Sequence, residues 1–235
     1  MRSIKVTACL LQPDDRRPGQ KQPVEMLDAL RVRILSDGIC AADFAALQAY
    51  GPRAFEHVFG ACALVKIEFD VAFIGEHSHL VYIPALGLPP QIVTAYPLAG
   101  QLRVGGPVAW AESPHSPLRA AGRHQRLAII ETGFSEADWR RVSIVAQAID
   151  EARLNYNFLF QNSNSVVATL AHVAKTGFVD LPGGGLNLGA GNLLYDEMNG
   201  GRQVPKLLVR GGMSHSGDLS TPLPGRVRTP LDTDG

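Results

Sequence analysis

The apolar positions of the chain alternate with polar ones in some stretches and recur at helical spacing in others. Ile4, Val6, Ala8 and Leu10 alternate with Lys5, Thr7 and Cys9, which predicts a half-buried strand. Residues 12–23 are polar, charged and Pro-containing, and predict a loop. From Val24 to Leu35, the spacing of Val24, Leu27, Leu30 and Ile34 predicts a helix. A second helix is predicted over Ala41–Tyr50, closed by Gly51-Pro52. The clearest strand follows: Val65, Ile67, Phe69, Val71 and Phe73 alternate with Lys66, Glu68 and Asp70, so one face is expected to be apolar and the other wet. Gly75-Glu76 is then a turn, and His77–Ile83 the returning strand, stopped by Pro84. Ile92–Tyr96, Leu102–Val104, Val108–Trp110 and Leu127–Glu131 are further short strands between Pro and Gly clusters.

Two helices end the patterned part. Ser135 stands as an N-cap with Asp138 three residues on, and Trp139, Val142, Val145 or Ala146, and Ile149 mark one face through to about Leu154. A last helix runs from Ser163 or Ser165 to Lys175, with Val166, Val167, Leu170 and Val173 as its stripe and Gly177 as its stop. Asp180 to Gly191 is a glycine-rich loop, and residues 211–235 carry few large apolar side chains, which predicts a disordered tail. The order is helices, then strands, then helices. Such segregation predicts an α+β fold, an antiparallel sheet flanked by helices, in a single domain spanning residues 1–210.

Composition narrows the function classes. The 235 residues hold 22 Lys+Arg and 22 Asp+Glu. That neutral balance speaks against a nucleic-acid partner, which demands surplus positive charge. With 46% hydrophobic and 19% charged residues, the chain has the material for a core. No apolar run approaches the ~20 residues of a membrane span. Met1 to Pro13 lacks a signal-peptide apolar region, so synthesis in the cytoplasm is expected, with a signal-independent export route left open. Cys9, Cys40 and Cys62 form neither a disulfide framework nor a zinc-type pair.

Leu154 to Ala171 is the stretch richest in chemistry. Gln161, Asn162, Ser163, Asn164 and Ser165 lead directly into an apolar-periodic helix, which puts a hydroxyl at a helix N-terminus. Unpaired N–H groups and the positive dipole end favour negative charge there. Ser and Asn are also the commonest helix caps, so the same cluster serves to begin a helix. His77 and His79 lie two apart on a strand and therefore on one face, where one of them can serve as a general base. A metal would require a third ligand. Glu76, His115, His124 and His172 are available but without motif spacing, and neither metal nor cofactor is expected.

Together, HSHLVY at 77–82 and YNFLFQNSNS at 156–165 resemble the circularly permuted papain-like fold of NlpC-type and lecithin:retinol acyltransferase-like proteins, in which His precedes a nucleophile at a helix N-terminus. The serine-bearing "NSN" form resembles a variant seen in uncharacterised bacterial proteins and in toxin-like domains of secreted effector systems. Its glycine-rich ending is echoed by Gly189-Ala190-Gly191-Asn192-Leu193-Leu194. The resemblance covers roughly residues 62–195. It implies a papain-like order of elements and a hydrolase or acyltransferase acting on an amide or ester bond of a peptide, a peptidoglycan cross-link or a lipid. Ser163 takes the nucleophile position, with His77 or His79 as base. Tyr156, Gln161, Asn162, Asn164 and Ser165 surround the site, and N–H groups near Asn164 and Ser165 hold the oxyanion. The usual Cys is Ser here, and a hydroxyl needs a stronger base than a thiol. Gln91, Thr94 and Glu112 are candidates to orient the histidine. The alternative is a non-catalytic binding module on the same scaffold.

A rival site pairs Cys40 with His77, although Ile39-Cys40-Ala41 is an apolar setting that suits a buried inert thiol. The chain holds no dinucleotide fingerprint, P-loop, HExxH or GxSxG. Gly212-Met-Ser-His-Ser216 only approximates the last of these.

Overall fold

A computed structural model describes residues 23–71, 75–119, 125–181 and 187–194. The expected strand at Ile4–Leu10, the 211–235 tail and the Gly212–Ser216 segment lie outside them. Three helices come first: α1 (Pro23–Asp37), α2 (Ala41–Tyr50) and α3 (Pro52–Phe59). Five strands follow, β1 (Ala63–Val71), β2 (Gly75–Ile83), β3 (Gln91–Leu98), β4 (Gln101–Ala109) and β5 (Arg126–Thr132). Two short 3-10 turns, Trp110–Glu112 and Pro117–Arg119, stand between β4 and β5. Helices α4 (Glu136–Glu151) and α5 (Ser163–Val173) complete the described chain. The strands form one antiparallel sheet in the order β4-β3-β2-β1-β5.

Period-two alternation gives the sheet two different faces. Val65, Ile67, Val81, Ile83 and Ile92 pack under α1–α3 around Phe44, Phe55 and Trp110. Phe44 and Trp110 meet edge to face with centroids 4.9 Å apart. Leu64, Leu80, Tyr82, Val93 and Leu102 pack under α4 and α5, where Trp139 stacks on Tyr82 at 5.3 Å. The α+β architecture, an antiparallel sheet flanked by helices, is the one the sequence predicts. Among the described residues no helix is long and apolar enough to cross a membrane.

Four local expectations are corrected or extended. Gly51-Pro52 closes α2 but also opens α3: Gly51 caps both helices, and Pro52 occupies the first helical turn, where its missing N–H costs nothing. Leu102–Val104 and Val108–Trp110 belong to one strand. Val93 faces two residues of β4 at a bulge, where Gly106 has φ +110° and a Cβ would lie 2.4 Å from the Ile92 carbonyl. Gly75 and Glu76 are paired residues of β2, not a turn. At the end of α5, Lys175 already takes the left-handed position (φ 61°) that ends the helix, two residues before Gly177, which is left-handed as well (φ 74°). The Lys175 N–H bonds His172 O and that of Thr176 bonds Ala171 O, both at 3.0 Å.

The fifth correction matters most. The expected wet face of β1 is buried: Lys66 and Glu68 are both 0% exposed and form an ion pair. Lys66 Nζ also donates to Val179 O at 2.5 Å and lies 3.6 Å from the centre of the Phe178 ring. Glu68 Oε1 accepts from Ser78 Oγ at 3.2 Å. Charge alternating with apolar residues on a strand looks identical whether the charges meet water or each other. Breaking such a pair leaves an uncompensated buried charge. Lys66→Met or Glu68→Leu alone is therefore expected to cost about 3–5 kcal/mol in urea unfolding, and the double substitution much less than the sum of the two.

Across the sheet, Asp150 of α4 accepts a bidentate contact from Arg103 of β4 (2.6 and 2.7 Å) and the Val104 N–H at 2.9 Å. These hydrogen bonds, the Arg103 one above all, hold the Asp150 carboxyl below its ordinary 3.8. The folded pKa is the lower one. The stabilisation is therefore complete above 3.8 and lost as pH falls through the depressed value. Asp150→Asn is expected to lower the urea midpoint at neutral pH, with the gap to wild type closing in acid.

Candidate active site

The site forms where β2 has an open edge. Strand β3 pairs β2 only over Leu80–Tyr82, so the β2 backbone before Leu80 has no strand partner on that side. The N-terminus of α5 fills the gap. Asn164 Oδ1 accepts the Ser78 N–H at 3.1 Å, and Asn164 Nδ2 donates to Leu188 O at 3.1 Å. One carboxamide thus ties helix, sheet edge and glycine-rich loop together.

Its neighbours complete the cap. Asn162 Oδ1 accepts the N–H groups of Asn164 (2.9 Å) and Ser165 (3.2 Å), and Asn162 N–H donates to Ser165 Oγ at 3.3 Å. Asn162 Nδ2 donates to Phe158 O (2.5 Å) and Leu188 O (2.8 Å). Ser165 Oγ lies 2.6 Å from Phe160 O and 3.0 Å from Gly189 O, which share its single proton. Gly189 sits against this cap: at φ +83° a Cβ would stand 2.7 Å from both Asn162 Oδ1 and Ser165 Oγ.

Ser163 alone of the four is turned to a different partner. Its Oγ lies 2.6 Å from His77 Nδ1, across 86 residues of sequence. His77 pairs with Phe69 across β1–β2, and its ring centre is 4.5 Å from that of His79 and 5.4 Å from that of His115. His79 and His115 are themselves 4.5 Å apart, and Phe69 contacts all three rings. Burial disfavours the imidazolium. It pushes His77 down to about 3, with His115 adding to the effect, and lowers His79 and His115 as well. Burial thus favours the neutral ring at all three positions.

The structure therefore brings Ser163, His77 and His79 together. It gives Asn162, Asn164 and Ser165 framework work at the same helix end. The expected oxyanion donors need correction: the N–H groups of Asn164 and Ser165 are taken by Asn162 Oδ1, while no described residue accepts the Ser163 N–H. Tyr156 packs against the α4/α5 core, and Gln161 closes a turn by bridging to Asn157. Gln91 accepts from Trp139 Nε1 at 2.6 Å and so does not orient the histidine. No hydrogen bond among the described residues joins Thr94 or Glu112 to His77. Cys40 starts α2 and is held by Asp43 Oδ2, 3.2 Å from its N–H and 3.1 Å from its Sγ, so the thiol serves a helix end rather than His77. Of the candidate third metal ligands, His115 joins the pair. His172 lies in the last turn of α5, the Glu76 side chain and His124 lie outside the described residues, and the three joined rings could together hold an ion.

Sequence reasoning missed what places His115. Its carbonyl accepts from Gln125 Nε2 at 3.0 Å, and its N–H donates to Ser113 Oγ at 3.2 Å. Gln125, Ser113 and Ser116 are all buried. Polar side chains in a Ser/Pro-rich loop resemble solvated surface, and only the fold shows otherwise.

No family model, curated protein or solved structure matches the chain.

The tightness of the cap at Gly189 is testable. Gly189→Ala must strain the left-handed backbone and push on Asn162 and Ser165, a combined cost of about 2–4 kcal/mol. Gly191→Ala, where a Cβ meets nothing within 4 Å, is expected to leave chemical-denaturation midpoints nearly unchanged.

Proposed function

We propose that the protein is an acyl-transfer enzyme, a hydrolase or acyltransferase of amide or ester bonds, with Ser163 as nucleophile and His77 as general base. The observation that carries this reading is the 2.6 Å contact between Ser163 Oγ and His77 Nδ1 at the N-terminus of α5. In the first step Oγ bonds to the substrate carbonyl carbon as its proton passes to Nδ1. The carbonyl electrons move onto oxygen, which the Ser163 N–H and the helix end stabilise. Collapse breaks the bond to the leaving amine or alcohol, which takes the proton from His77. Water or an acceptor alcohol or amine, deprotonated by the same ring, then attacks the acyl carbon, the bond to Oγ breaks, and the proton returns from Nδ1 to Oγ. The resemblance of the HSH and NSNS segments to permuted papain-like proteins supports the same roles, including Ser where that family has Cys. Peptide, peptidoglycan and lipid substrates all meet this chemistry. The exposed Phe158, Leu159 and Phe160 on the turn leading to Ser163 favour an apolar acyl group.

A second reading is a binding module that keeps the arrangement without turnover, within or outside a secreted effector system. Two observations favour it. Ser163 is only 3% exposed, and no described carboxylate hydrogen-bonds His77. The burial that favours the neutral His77 ring also makes it a weak base.

Fluorophosphonate labelling and p-nitrophenyl ester turnover, run on chelator-treated protein, separate the two. The enzyme reading expects both in wild type, neither in Ser163→Ala, and a drop of about 100-fold or more in His77→Asn. Labelling that persists in Ser163→Ala, or wild type inert in both assays, overturns it.

A further inference from the structure

His77 has a second side. One ring nitrogen meets Ser163, while the rest of the ring faces His79 and His115. We propose that His77, His79 and His115 form a binding site for a divalent transition-metal ion of the zinc type, each giving one ring nitrogen and leaving a further coordination position open.

Three independent observations support the site, and none rests on the acyl-transfer reading. First, one donor atom from each ring can be chosen so that all lie within 4.8 Å of one another. Tetrahedral bonds of about 2.0–2.1 Å put ligand nitrogens about 3.3 Å apart, so rotamer adjustments of an ångström or so close the set. Second, His79 is fully buried, and neither of its ring nitrogens has a hydrogen-bond partner among the described residues. An orphaned buried polar atom costs about 1–3 kcal/mol, and a bare aromatic cluster would be served better by Phe. A metal bond uses one of these nitrogens. Third, the loop residue contributed from outside β2 is fixed in place: the buried side chains of Gln125 and Ser113 both hydrogen-bond the His115 backbone.

The donor set selects the ion. Three neutral imidazoles, without thiolate or carboxylate, suit zinc, cobalt, nickel or copper and not calcium or magnesium. Metal binding also decides what Ser163 does. If His77 binds through Nε2, its proton resides on Nδ1 and is donated to Ser163 Oγ, which becomes an anchor for the ligand. If His77 binds through Nδ1, Ser163 loses its hydrogen-bond acceptor outright. In both cases the occupied site has no free Nδ1 lone pair to take a proton, so metal binding and nucleophilic attack by Ser163 exclude each other.

The test is titration of the tag-free, chelator-treated full chain with Co²⁺, read by the visible absorption of low-coordinate cobalt, followed by displacement with Zn²⁺. One equivalent per chain is expected. His115→Ala, at a half-buried loop position, is expected to weaken binding by more than about 100-fold, and Ser163→Ala by roughly 10-fold. Absence of stoichiometric uptake in wild type overturns the site whatever the variants do, as does uptake undiminished in a folded His115→Ala; His115→Asn replaces it if the alanine variant does not fold. The two proposals fail separately. Metal uptake without probe labelling removes only the enzyme reading, and labelling without uptake removes only the metal. Labelling undiminished by saturating Zn²⁺ overturns the mutual exclusion.

Discussion

One carboxamide fixes where Ser163 and His77 meet. A sheet edge that ends pairing early must find other partners for its N–H groups, because a buried unpaired amide is expensive. At β2 that partner is Asn164, whose other end donates to Leu188 O. The α5 N-terminus is thus tied to the histidine strand by a hydrogen bond next to His77, beside the packing of Val166, Val167 and Leu170 on the sheet. Ser163, one residue from Asn164, is carried to within 2.6 Å of the His77 ring as a consequence. Asn162 and Ser165 then close the helix end against Gly189, so the same turn that starts α5 also docks the glycine-rich loop.

Much of this architecture was legible. Elements announce themselves by the period of their apolar positions, and α1, α2, β1, β2, β3, β5 and α4 all did, although the second face of β1 turned out to be buried rather than wet. The most consequential failure has one cause: tertiary contacts replaced solvent without altering the local pattern. Lys66 and Glu68 alternate as exposed residues would, yet each finds its counter-charge in the other beneath Phe178 and Val179. Pro52 reads as a stop because a proline can both follow one helix and begin the next.

The candidate site divides along the same line. The NSNS cluster marks a helix N-terminus whatever else it does, so its position was readable. Its division of labour was not: which residue caps, which bridges to the sheet and which is left for His77 depends on the direction each side chain takes from the first turn. His115 was visible only as one histidine among several. Its meaning comes from a loop whose Ser and Gln side chains are buried rather than wet.

The serine itself bears on both possible uses of the site. A hydroxyl can donate to an imidazole nitrogen or accept from an imidazole N–H with similar geometry. Ser163 can therefore satisfy His77 Nδ1 in either tautomer, with the lone pair toward it for proton abstraction or with the N–H toward it when Nε2 holds an ion. A thiol is a weak partner in both directions, and beside three imidazoles its sulfur would be a competing soft ligand. A serine here is a weaker intrinsic nucleophile than a cysteine would be. In return it leaves an all-nitrogen pocket and a contact that survives a change of tautomer. Those properties matter little to a dedicated thiol hydrolase, and they are what a site needs if proton transfer and metal binding are to share one ring.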